Sequence, residues 1–222
     1  SIRPQDSISI LSFIADVEEM FAGIGGMGSN YELEMAVDEA LQRATVLLID
    51  LETRLSYVCQ VISALSRYLG SLQGRKNVLF FSEGYPLAPG QTLARIVGQS
   101  AARASGDPMS SLQVTQRVDS RLGSNQMGIK KLQSAMSQAN RFQVSFYSVD
   151  SRGLLAPPIN AEHAFSGGYP DLAGQDINAP QEFLTALASG TGGLAFLNNN
   201  DLGAGLHRVY SDSRQYYLIG YT

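Results

Sequence analysis

Four large apolar residues in a row, Val78-Leu79-Phe80-Phe81, follow Arg75-Lys76-Asn77 and are stopped by Ser82-Glu83-Gly84. An unbroken run of this kind, bounded by polar and turn residues, suits a central strand covered on both faces, as in a parallel sheet between helices. Residues 142–150, FQVSFYSVD, make a second strand. Between the two, Met127, Ile129, Leu132, Ala135, Met136 and Ala139 recur at helical spacing. Strand, helix and strand in this order imply a right-handed parallel crossover. Both strands then end on one rim, at Ser82-Glu83-Gly84 and at Asp150-Ser151-Arg152-Gly153, where α/β proteins place their ligands.

The flanking pattern predicts further elements. Partial alternation over 6–13 and again over 17–21, with Ile14-Ala15-Asp16 between, predicts a two-stranded hairpin. Apolar residues at Leu41, Ala44, Leu48, Leu51, Leu55, Val58, Ile62, Leu65 and Leu69 predict helix from residue 30 to 69. Such a helix would be about 60 Å long, so a break is expected at 49–53, where Asp50 or Thr53 could cap a second segment. Residues 85–125 and 155–180 are rich in turn, small and polar residues and read as insertions, the first with one or two helices and a break at Gly106-Asp107-Pro108. Pro180 opens a helix over 181–189. A short strand at 194–197, a helix at 202–210 and a last edge strand at 215–221 complete the chain as a single domain.

One motif competes with this reading. Gly23-Ile24-Gly25-Gly26-Met27-Gly28 fits the glycine spacing of a dinucleotide loop, and Asp50 stands where an acid would hold the ribose. The fingerprint requires Val46 to Ile49 to be a strand, whereas the apolar spacing through those residues is helical.

The segments GRKNVLFFSEGYP, VSFYSVDSRGL, LASGTGGLAF, NDL and DSRQYYLIGY, in this order, resemble the von Willebrand factor A-related domain of the acidobacterial type. The resemblance runs from about residue 4 to the end of the chain. It implies a doubly wound, mostly parallel α/β sheet between helices, Rossmann-like in architecture, whose first central strand and helix are not among these residues. That strand would then come from another part of the natural protein or from another chain. The resemblance also implies a recognition rim at Ser82, Glu83, Gly84 and Asp150. In such domains the rim binds Mg²⁺ through hydroxyls and carboxylates, which suits a hard cation. Glu83 stands at the position of an aspartate ligand, and Asn30 is the nearest substitute for a missing third-loop threonine. Relatives of this kind are commonly exported, which points to a secreted, periplasmic or cell-surface location.

Composition narrows the function. A formal net charge of −4 argues against a phosphate-backbone binder. No stretch is long and apolar enough for a membrane span. The one cysteine, Cys59, sits at an apolar helical position and reads as a small buried hydrophobe. His163 and His207 lack partners at ligand spacing, and no nucleophile elbow, phosphate loop or zinc cluster is present. The expectation is therefore a non-enzymatic, adhesion-type module that binds a protein through its strand-end loops. A structural subunit of an extracellular homo-oligomer or filament is the alternative, and a dinucleotide enzyme built on Gly23 to Gly28 the weaker one.

Overall fold

The computed structural model describes residues 10–24, 30–106, 108–123, 127–153, 170–199 and 201–214. It divides into two compact units, one from residues 1–56, 88–129 and 168–176 and the other from 57–87, 130–167 and 177–222.

The described residues of the first unit are mainly helical. α1 (Ile10–Ala22) replaces the expected hairpin. Phe13, Val17 and Phe21, four residues apart, are all buried, so the segment shows one helical face to the core rather than two strand faces. Asp16, read as part of a turn, instead pairs with Arg43 at 3.4 Å. α3 (Pro89–Ser105) and α4 (Pro108–Val118) arise from the first insertion, and they supply core instead of a solvated loop. Leu93, Ile96, Val97 and Val118 are buried with Leu33, Val37, Leu41 and Leu47. Gly106 ends α3 in the left-handed conformation, φ 60°, as the sequence break suggests. A single π-helical turn, Asp119–Gly123, follows α4.

α2 (Asn30–Leu69) is one unbroken helix of 40 residues. The expected break at 49–53 does not occur. Asp50 pairs with Arg54 one turn on, at 2.8 Å, and the Thr53 hydroxyl donates to the Ile49 carbonyl at 2.7 Å, so both candidate caps are satisfied inside the helix. The segment 46–49 is therefore helical, and the dinucleotide fingerprint lacks the strand it requires. Of that motif's glycine loop, residues 25–28 lie outside the described residues.

The second unit holds a parallel sheet of order β1 (Lys76–Ser82), β2 (Val144–Asp150), β3 (Ala195–Phe196). Every residue of β2 is buried, whereas β1 alternates, with Leu79 41% and Phe81 53% exposed. Among the described residues it is thus β2, not the Val78 to Phe81 run, that is central and covered on both faces. α5 (Met127–Arg141) precedes β2 as expected, with Leu132, Ala135 and Ala139 inward. α6 (Pro170–Gly190) begins earlier than expected and contains Pro180 in its interior. Its Phe183 rests on Phe80, ring centroids 6.2 Å apart. α7 (Leu202–Arg214) lies on the opposite face, where Leu206 and Val209 approach Phe81, Val149 and Phe196. Gly193 crosses so close to β2 that a Cβ there would stand 1.9 Å from the Phe146 carbonyl oxygen. The final strand expected at 215–221 and His163 lie outside the described residues.

Candidate functional site

Parallel pairing sets Ser82 directly beside Asp150, so β1 and β2 end at one rim as the crossover argument requires. The Ser151 amide donates to the Ser82 carbonyl at 3.1 Å and extends the ladder by one bond. Beyond Ser82 the chain turns at once. The Gly84 amide donates to the Ser82 hydroxyl at 3.0 Å. Gly84 has φ 85°, and a Cβ there would lie 2.0 Å from the carbonyl oxygen of Pro180. Only glycine meets both demands. Glu83, between these two fixed residues, projects outward and is exposed. Tyr85 then anchors the turn edge-on against Phe183, centroids 5.3 Å apart.

Asp150 plays a different part. Its side chain is fully buried and its carboxylate accepts four hydrogen bonds. One oxygen takes the Arg152 backbone amide and Nε, both at 3.0 Å, and the other takes Arg152 Nη2 at 2.8 Å and Gln181 Nε2 at 2.9 Å. Gln181 Nε2 also reaches the Asn198 side-chain oxygen at 3.0 Å, so β2, α6 and the turn after β3 are tied together through one carboxylate. Burial by itself would raise the Asp150 carboxyl. The bonds from Arg152 and Gln181, with the Arg152 charge, outweigh it and hold the group below the usual aspartate range.

Donor chemistry bears on a Mg²⁺ ion here. A hard cation needs several oxygen ligands that are not already engaged. Asp150 is neutralised by a guanidinium, and the Ser82 hydroxyl is taken by Gly84. Asn30 is the first residue of α2. Glu83 is left as the exposed carboxylate of the rim, and among the described residues no three acidic, histidine or cysteine side chains gather to hold a metal. These residues do not fit a cation cradle, and no function is routed through one.

A second polar cluster lies at the opposite end of the strands. Arg75 donates to the Gly192 carbonyl at 2.8 Å and to the Ser145 hydroxyl at 3.2 Å. The Tyr147 hydroxyl donates to Asp212 of α7 at 2.5 Å. Burial, then the bond to Asp212, pushes the Tyr147 hydroxyl up to about 12. Tyr147 is wholly buried, so the cluster clips α7 to the sheet rather than facing a ligand.

Sequence reasoning singled out Ser82, Glu83, Gly84 and Asp150 as rim residues, and it did not single out Arg152, Gln181 or Asn198, which the structure joins to Asp150 or to one another. Arg152 carried a local signal, since a residue two past a strand-end aspartate is within reach of its carboxylate. Gln181 and Asn198 carried none, because their closeness to Asp150 depends on how α6 and β3 pack. Comparison with protein-family models, curated proteins and solved structures finds no match to the chain. Among the described residues no helix is long and apolar enough to cross a membrane.

Proposed function

We propose that the protein is a non-enzymatic binding module that engages a protein partner through the rim at Ser82, Glu83 and Gly84, with the buried Asp150 bracing the neighbouring strand end. One observation carries the reading: Glu83 is held outward on a turn fixed by the Gly84 amide bond to the Ser82 hydroxyl and by Tyr85 on Phe183, at the carboxyl ends of parallel strands, where open α/β sheets place their ligands. A fixed turn loses little freedom on binding, which favours recognition. An exposed carboxylate there suits a partner that offers a basic side chain. The same reading takes the sheet as part of a doubly wound architecture, supported by parallel strands with α6 on one face and α7 on the other. The resemblance to von Willebrand A-related domains agrees with it and suggests a location outside the cytoplasm.

Site-specific photo-crosslinking tests the proposal. A photoreactive residue at position 83, introduced in cells that produce the protein, is expected to capture one discrete protein partner, while the same residue at exposed Lys130 of α5 captures none. Substituting Lys for Glu83 should reduce partner binding at least tenfold in a direct titration. Equal adducts from both positions, or none from 83, would refute the rim as the binding surface.

A further inference from the structure

Within the first unit, α4 and the π-helical turn after it both pack on α3, and a groove of about 670 Å³ opens between them. That volume lies inside the roughly 300–1,000 Å³ range of small-molecule sites. Two close approaches fix the register of its walls. A Cβ on Gly98 would stand 3.7 Å from Thr115 Oγ1, and one on Gly90 only 2.0 Å from the Leu122 carbonyl oxygen. Numbers fall along α3 as they rise along the facing wall, so the walls are antiparallel, and Asp119, between Thr115 and Leu122, comes level with Ala94 and Arg95. On α3 two rows at four-residue spacing face the groove, as such residues share a helix face. Ala94, Gly98 and Ala102 are a row without bulk, and Gln91, Arg95 and Gln99 are a polar row beside it. Arg95 is half-buried. Opposite, the π-helical turn supplies the exposed carboxylate of Asp119, and such turns are rare and recur at functional sites.

We infer that this groove binds a small zwitterion of dipeptide size, with the ligand carboxylate on Arg95 and its ammonium group on Asp119. Three features select that chemistry. Among the described residues of the lining, the charged groups are one cation and one anion on opposite walls, so a ligand of single sign would meet a like charge as well as an opposite one. The guanidinium fork of Arg95 matches a carboxylate through two parallel bonds. Between the charges, the carboxamides of Gln91 and Gln99 and the Thr115 hydroxyl offer donors and acceptors for a peptide group, while the row of Ala94, Gly98 and Ala102 suits side chains as small as a methyl. The inference stands without any reading of Glu83.

Isothermal titration of the purified chain with alanylalanine tests it. Saturable one-to-one binding is expected. N-acetyl-alanylalanine, which lacks the ammonium group, and alanylalanine amide, which lacks the carboxylate, should each bind about tenfold more weakly or worse, the loss of one charge-assisted contact. Asp119→Asn should weaken dipeptide binding as much, yet leave the affinity for the acetylated form unchanged, because the contact it removes is already absent there. Arg95→Gln should likewise weaken the dipeptide and spare the amide form. Gly98→Leu places a side chain in the groove and should abolish binding. Circular dichroism checks that each variant is folded, and Asp119→Asn, at an exposed position, together with the two blocked dipeptides decides the matter if either α3 variant fails to fold. No saturable binding at millimolar dipeptide, equal affinity for the acetylated form, or an Asp119→Asn chain that binds the dipeptide as the parent does would each overturn the inference.

Discussion

Asp150 shows how a residue that reads as a ligand can serve as a brace. Its carboxylate is buried and filled by Arg152 and Gln181, so removing its charge leaves a buried amide where the half-buried Arg152 guanidinium had a carboxylate. Breaking such a pair costs about 3 kcal/mol, and Asp150→Asn should lose roughly that much in urea denaturation. The sign of the pH effect follows from the direction of the shift. The unfolded chain titrates this group near the ordinary 3.8 and the folded chain below it, so the stabilisation is complete above that range and is lost as pH falls through the folded value. Acid titration of the parent should show this loss, and Asp150→Asn should remove it. Tyr147 runs the other way. Its hydroxyl rises from 10.0 to about 12 on folding, so its contribution is complete below pH 10 and fades as pH climbs towards 12. Tyr147→Phe should cost about 1–2 kcal/mol at neutral pH and abolish that alkaline step, measured by thermal melts across pH.

At the level of elements, α2 departs from the expected break and the two longer strands from the expected order of burial. Thr53→Pro separates the continuous helix from the broken one. In a continuous α2 it removes an interior hydrogen bond and should cost about 3 kcal/mol or more, whereas at a break between two capped segments it would be nearly neutral. Equilibrium unfolding decides between them. The strands differ in cover rather than in residue type. Phe81 of β1 is 53% exposed and Phe146 of β2 only 1%. Phe146→Ala should therefore cost about 3–5 kcal/mol, while Phe81→Ala stays within about 1 kcal/mol, although the four-residue apolar run around Phe81 looks the more deeply buried in the sequence.

For the whole molecule, charge limits partners before any site is considered. With a formal net charge of −4, the protein should show no measurable retention of a DNA duplex at 150 mM salt in an electrophoretic shift, since few basic groups are available to displace counterions. The sequence by itself determined what depends on neighbours a few residues apart. The α/β class, the strands before Ser82 and Asp150, the helix through Val46 to Ile49 and the turn at Gly84 all follow from local spacing, turn chemistry and backbone sterics. Tertiary structure decided the rest, because burial is a property of what comes to lie against a side chain. The segment after Ile10 alternates partly like a strand, yet the core offered to Phe13, Val17 and Phe21 lies along one helical face, and the helix wins. Asp50 and Thr53 could equally cap or continue a helix, and their bonds to Arg54 and Ile49 chose continuation. Asp150 was legible as a rim residue, but its bracing by Gln181 was not, since only packing of α6 onto the sheet carries a side chain 31 positions away to within 2.9 Å of its carboxylate.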